Sequence, residues 1–187
     1  MIKNLTVEKR ADRRERFNID NPILHKKFPA YYFALPHIGP HQSFNMSFVA
    51  VLGEFWNSND DTLLFLEDDA IISDWDRYYD ALKELPSDWG MLYLGANIRD
   101  NSSSPYSKNL VRLHKAWTTH AVLINRPVAE YILKFYNDFS ETMADTWIAD
   151  NVMDKFKCFM VSPIIATQRA GFSDIWGHEV DYSDVIK

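Results

Sequence analysis

The stretch Thr62–Ala70, TLLFLEDDA, decides the reading of the fold. Four apolar residues, Leu63-Leu64-Phe65-Leu66, break directly into three carboxylates, Glu67-Asp68-Asp69. A short unbroken apolar run suits a strand buried on both faces, as in a mostly parallel sheet. A helix is possible on composition, but the acidic stop and the following Ala-Ile-Ile-Ser-Asp favour a strand and then a loop. Adjacent carboxylates repel one another, and an apolar setting raises the cost of ionising them. A divalent cation removes that difficulty. Hard cations such as magnesium and manganese take oxygen ligands, commonly a few carboxylates together with substrate phosphates. Ligands of open α/β sheets sit outside the carboxyl ends of the strands, so the triplet marks where a metal and a phosphate are expected. The plain alternative is a solvated turn whose acids favour the start of a following helix.

On the N-terminal side, Ile2–Leu5 is a short candidate strand, followed by the charged stretch Val7–Phe17, VEKRADRRERF. Asp12 and Arg16 have the spacing of a helical ion pair. A solvated helix face is the bland reading of this stretch; the sharper one has Arg10 and Arg13 reaching a phosphate or a base. Tyr31–Leu35 reads as a second strand closed by Pro36, with His37 and His41 flanking a Gly39-Pro40 turn. Phe44, Phe48, Val51, Leu52 and Phe55 recur at helical spacing between His41 and Trp56. On the C-terminal side, Ser73 or Asp74 caps a helix carrying Trp75, Tyr78, Tyr79, Leu82 and Leu85, and Pro86 ends it. Trp89–Gly95 is a further buried strand, Asn97–Lys108 a polar loop, Leu110–Leu113 a short strand, and Ala116–Asn125 a longer one. Thr118, Thr119 and His120 interrupt that last apolar run and need hydrogen-bond partners if buried. Pro127 opens a helix that buries Val128, Tyr131, Ile132, Phe135 and Phe139. Asp145 can cap another, with Ile148, Val152 and Phe156 inward. Cys158–Val161 is a late strand, and the rest of the tail has no clear period. Strands alternating with helices give the α/β class.

The chain has 187 residues, 47% hydrophobic and 14% aromatic, which predicts one folded domain over residues 1–187. The net charge of −6 argues against a nucleic-acid partner. With Cys158 as the single cysteine, neither a disulfide framework nor a cysteine zinc site fits within one chain. The opening Met1–Leu5 runs into charges rather than an apolar core, and no apolar run approaches the about 20 residues of a membrane helix. A soluble, cytoplasmic protein is expected, with peripheral membrane contact open.

Taken in order, these segments resemble glycosyltransferase family 25, the lipooligosaccharide galactosyltransferase-like enzymes. Asn4-Leu5 with Arg10-Ala11-Asp12-Arg13-Arg14 is similar to the family's start. LLFLEDDA resembles its acidic motif, a variant of D-x-D. Asp88–Gly95 resembles its Tyr-Leu-Gly strand, and Thr119–Ile124 the strand after its flap. Asp145–Ile148 resembles a later acidic-aromatic motif; Val161–Ile164, Gln168 and Ser173–Ile175 resemble its closing segment. Two departures are visible. Phe44 stands where a histidine often follows the family's Gly-x-x-x-Ser, and Thr6–Lys9 are extra between Leu5 and Arg10.

The resemblance implies a single-domain GT-A fold and an inverting hexosyltransferase, linked with lipopolysaccharide biosynthesis. The donor would be a UDP-sugar, with galactose or glucose as guesses, and the acceptor a glycan or lipid-linked hydroxyl. Manganese or magnesium would be held by Asp69, with Glu67 and a late histidine, His178, as further ligands. Asn4, Arg10, Arg13, Glu67 and Asp68 would bind the nucleotide, and Asp145 or, second, Asp150 would take the acceptor's proton. If the triplet continued strand geometry, Glu67 and Asp69 would point one way and Asp68 the other. Bland readings stand beside these: a helix cap for Asp145, a surface acid for Asp150, an exposed loop histidine for His178. Trp147 and Trp176 would stack on sugars or belong to the core. Two rival functions also remain, a non-catalytic sugar- or partner-binding relative and a metal-dependent phosphohydrolase.

Overall fold

The computed structural model describes residues 1–24, 30–32, 39–98, 102–135 and 142–186. In chain order the elements are β1 (Ile2–Thr6), α1 (Ala11–Asp20), β2 (Ala30–Tyr32), α2 (Pro40–Trp56), β3 (Thr62–Glu67), β4 (Ala70–Ile72), α3 (Trp75–Glu84), β5 (Trp89–Tyr93), β6 (Ser103–Pro105), β7 (Leu110–Leu113), β8 (Ala121–Asn125), α4 (Arg126–Lys134), α5 (Ala144–Asn151), β9 (Lys157–Val161), β10 (Ala166–Gln168), β11 (Gly171–Ser173) and β12 (His178–Val180). The acidic stretch is therefore a strand that ends at Glu67, followed by a turn.

Among the described residues one sheet has eight strands in the order β2-β1-β3-β8-β5-β9-β7-β6. β1, β2 and β3 are parallel; β8 reverses between β3 and β5; β9 is parallel to β5; β7 reverses again and β6 turns back. All but β8 and β7 thus share one direction, a mostly parallel sheet. Continuous apolar runs follow from burial on both faces. Leu63, Phe65, Val122, Ile124, Met91, Tyr93, Cys158 and Met160 face one core with residues of α2, α4 and α5. The alternate residues, Leu64, Leu66, Leu123, Leu92, Phe159 and Val161, face a second core with Phe17 of α1 and Tyr78 and Ala81 of α3. Side chains alternate strictly along each strand, so one sheet serves two helical layers.

Local chemistry fixes the helix starts. Asp74 caps α3 by accepting from the Arg77 amide at 2.9 Å, and Asn125 caps α4 by accepting from Val128 N at 3.2 Å. Pro40 and Pro127 sit in first turns, where a missing amide costs nothing. Several expectations need correction. Arg16 pairs with Asp20 at 3.2 Å, while Asp12 pairs with Arg10. The strand expected over Ala116–Asn125 begins only at Ala121, because Thr118 adopts a left-handed φ of 75°. Met143, not Asp145, is the N-cap of α5. Tyr79 is exposed rather than packed, and the tail contains three short strands too brief to show a period. The expected strand residues Phe33–Leu35, His37 and the helix position Phe139 lie outside the described residues.

Candidate active site

β1 and β3 are adjacent and parallel, with Leu5 opposite Glu67. From β1 the chain moves to β2 on one side; from β3 it moves towards β5 on the other. Such a divergence opens a crevice beyond the carboxyl ends of the two strands. A cavity of about 940 Å³ lies there, walled by Thr6, Arg13, the acidic triplet, Thr118, Thr119, Asp145 and the tail residues Asp174 and Trp176. Its size is at the upper end of small-ligand sites.

Each carboxylate of the triplet is held. Glu67 accepts from Thr119 Oγ1 at 2.9 Å, and its amide donates to His120 O at 2.8 Å. Asp68 accepts from Thr6 Oγ1 at 2.6 Å and is ion-paired with Arg13 Nη1 at 2.9 Å. Asp69 accepts from Arg13 Nη2 at 3.2 Å, with Gln168 Nε2 at 3.5 Å. Because the strand stops at Glu67 and the chain turns, Asp68 and Asp69 meet at one guanidinium instead of pointing to opposite faces. Burial pushes the Glu67 carboxyl well above the usual range, and the charge of Asp69 adds to that. Burial also raises Asp68 and Asp69, against the pull of Arg13 on both.

Across the cavity stands Asp145, in the first turn of α5. Thr118 N donates to its Oδ2 at 3.2 Å, and Thr146 N donates to its Oδ1 at 2.6 Å. Both oxygens are thereby oriented. Thr118 is a β-branched residue in the left-handed region, a conformation that costs energy and clusters at functional sites. Thr119 and Thr118 link the two acidic walls: one hydroxyl to Glu67, one amide to Asp145.

The other expected residues fall elsewhere. Asp150 is exposed and paired with Lys115 at 2.5 Å. Asn4 is buried in β1 beside Leu66 and is not on the cavity wall. Arg10 bonds Asp174 at 2.7 Å and borders a smaller cavity of about 200 Å³, which shares Arg13 and Asp69 with the main one. Trp147 belongs to the core, whereas Trp176 is 51% exposed at the cavity, its ring 5.5 Å from that of His41. His178 is exposed on β12, its Nδ1 against Glu179 O at 2.8 Å; the wall includes Trp176 and Val180 but not His178.

The donor set Asp69, Glu67 and His178 is thus not assembled. Among the described residues no three His, Cys, Asp or Glu side chains form a group that could hold a metal ion. Two of the three triplet carboxylates are engaged by Arg13 instead. These residues, as arranged, do not fit a cation held by protein side chains alone.

Thr6, Thr118 and Asp174 were not singled out from sequence as functional. Thr118 and Thr119 carry a signal, as polar residues inside an apolar run; Thr6, the last residue of β1, carries none.

No protein-family model matches the chain, and no curated protein matches it. Solved structures do. A197 from STIV superposes with a TM-score of 0.59 at 14% identity, covering 96% of this chain and 92% of that one. A glycosyltransferase involved in the glycosylation of the major capsid of PBCV-1 superposes with a TM-score of 0.55 at 8% identity, covering 92% of this chain and 94% of that one. The fold is of the GT-A type. At such identities the likeness is one of fold, and the resemblance to family 25 rests on the motifs alone.

Proposed function

We propose that the chain is a nucleotide-sugar glycosyltransferase that moves a hexose, galactose or glucose, from a UDP-sugar to a glycan or lipid-linked hydroxyl with inversion. The observation that carries this reading is one cavity at the carboxyl ends of β1 and β3 with two chemically distinct walls. Arg13 and the acidic triplet form one wall, and the oriented carboxylate of Asp145 forms the other. In this reading the donor diphosphate lies against Arg13. Asp145 accepts the proton of the acceptor hydroxyl as its oxygen bonds to the anomeric carbon. The bond from that carbon to the diphosphate oxygen breaks, and the leaving charge is met by Arg13. Manganese or magnesium, implied by the family resemblance, would supply the same neutralisation.

Thermal-shift screening of UDP-sugars, followed by transfer assays on Asp145→Asn, tests the reading. One UDP-sugar should raise the melting temperature by mass action. Asp145→Asn should keep that shift and lose about 10²–10⁴-fold in turnover, the usual contribution of a general base. Unchanged turnover would remove Asp145 from the role. A second reading, a non-catalytic donor binder, is favoured by the internal saturation of Asp68 and Asp69 and by Phe44 on the cavity wall. Donor binding without hydrolysis or transfer would select it. No described helix is long and apolar enough to cross a membrane.

A further inference from the structure

We propose, resting on the nucleotide-sugar reading of this cavity, that Arg13 is its resident counter-charge: the donor diphosphate is bound through Arg13 without a divalent cation, and the acidic turn becomes a cation site only when Arg13 is removed. Two nitrogens of one guanidinium reach two different carboxylates, Nη1 to Asp68 at 2.9 Å and Nη2 to Asp69 at 3.2 Å. Arg13 thus sets one positive charge between the two carboxylates. A guanidinium carries five N–H donors, and two such contacts leave others for phosphate oxygens. Arg13 is 18% exposed, enough to present an edge to the cavity while the rest is enclosed.

The helix that carries Arg13 is stapled to the segment that carries the carboxylates. Asn21, just past the end of α1, donates from Nδ2 to Ala70 O at 2.9 Å and accepts from Ile72 N at 3.0 Å. Arg14 donates to Val7 O at 2.8 Å. The turn itself is held from below by Arg169 N to Asp69 O at 2.8 Å. Arg13 therefore meets Asp68 and Asp69 across a rigid frame, and the arrangement is built into the packing of α1 rather than into one long side chain. Asp68 and Asp69 act as positioning residues that aim Arg13; in the absence of its charge they are two adjacent, largely buried carboxylates, the kind of pair that recruits a hard cation.

The test uses the full chain. Mn²⁺ alone is titrated into wild type, Asp69→Asn and Arg13→Ala, following the free-ion EPR signal. UDP, the part common to all UDP-sugars, is then titrated by calorimetry in EDTA and in manganese. The expected result is wild-type UDP affinity equal within about twofold in the two buffers, and at least about tenfold weaker in EDTA for Arg13→Ala. Mn²⁺ should bind Arg13→Ala at least about tenfold more tightly than wild type. Tight Mn²⁺ binding to wild type that is lost in Asp69→Asn, or UDP binding that requires manganese, overturns the proposal. Should Arg13→Ala fail to fold, the wild-type and Asp69→Asn titrations still decide, and Arg13→Lys must retain UDP binding in EDTA. Absence of UDP binding in both buffers overturns the nucleotide reading; the Mn²⁺ titration then separately supports or overturns Arg13 as the counter-charge.

Discussion

His120 is fully enclosed beside the acidic strand, and burial, only partly offset by the Ala166 backbone, lowers its pKa from 6.5 to about 4. The folded chain therefore holds a neutral imidazole that the unfolded chain protonates first. Stability from this site is complete above pH 6.5 and is lost as pH falls towards 4. The interval corresponds to about 3 kcal/mol. Chemical denaturation of wild type and His120→Gln at pH 7 and pH 4.5 should show a smaller acid loss in the variant; equal slopes would rule out His120 as the source. The triplet shows what single residues disclose in sequence. Three carboxylates after an apolar run are legible as a strand end facing a ligand. The sequence reading names Arg13, with Arg10, as a candidate phosphate contact, but its pairing with the triplet is not legible, because Arg13 lies 56 residues from Asp69. The left-handed Thr118 was hidden for a similar reason: a β-branched residue is poorly suited to that conformation, so composition predicts strand.

Elements were legible in proportion to their length and burial. Strands β3, β5 and β9 and helices α2, α3 and α4 carry unbroken or periodic apolar patterns, and the cap residues Asp74 and Asn125 act as their chemistry suggests. The three-residue strands β4 and β10 hold together only through each other, far apart in the chain, which no local pattern encodes; β11 and β12 form a hairpin whose strands are too short to show a period. The Tyr-Leu-Gly segment shows how such a contact writes itself into one position. A Cβ at Gly95 would stand 2.1 Å from Ala166 O, where β10 crosses the end of β5, and Leu94 O accepts from both Ile165 N and Ala166 N. Gly95→Ala should destabilise by about 1–3 kcal/mol or more, because the obstacle is backbone and cannot rotate away. Urea midpoints of the two proteins check this; parity would mean the crossing strand yields.

At the scale of the whole molecule, one mostly parallel sheet between two helical layers was readable from the alternation of strands and helices. The reversed strands β8 and β7 and the closure of the cavity by the tail were not, since both depend on pairings far apart in sequence. The tail is held by charge. Asp174 pairs with Arg10 at 2.7 Å and Lys9 at 3.3 Å, and Arg169 pairs with Asp20. Asp174 and Trp176 are both on the cavity wall, so loosening this clasp should open the site. Asp174→Ala should weaken UDP binding by about tenfold, equivalent to 1.4 kcal/mol, and make residues 171–180 the first to be cut in limited proteolysis. An unchanged cleavage pattern would show that the hairpin is held by other contacts.

One edge of the sheet carries a consequence for solubility. Among the described residues β6 is the outermost strand beyond β7, only three residues long, and it ends in an exposed Pro105. Proline has no amide hydrogen to offer, and a strand this short presents little backbone to a neighbour. A stray chain meeting this rim finds little ladder to extend, which disfavours growth of the sheet into an intermolecular one at this edge.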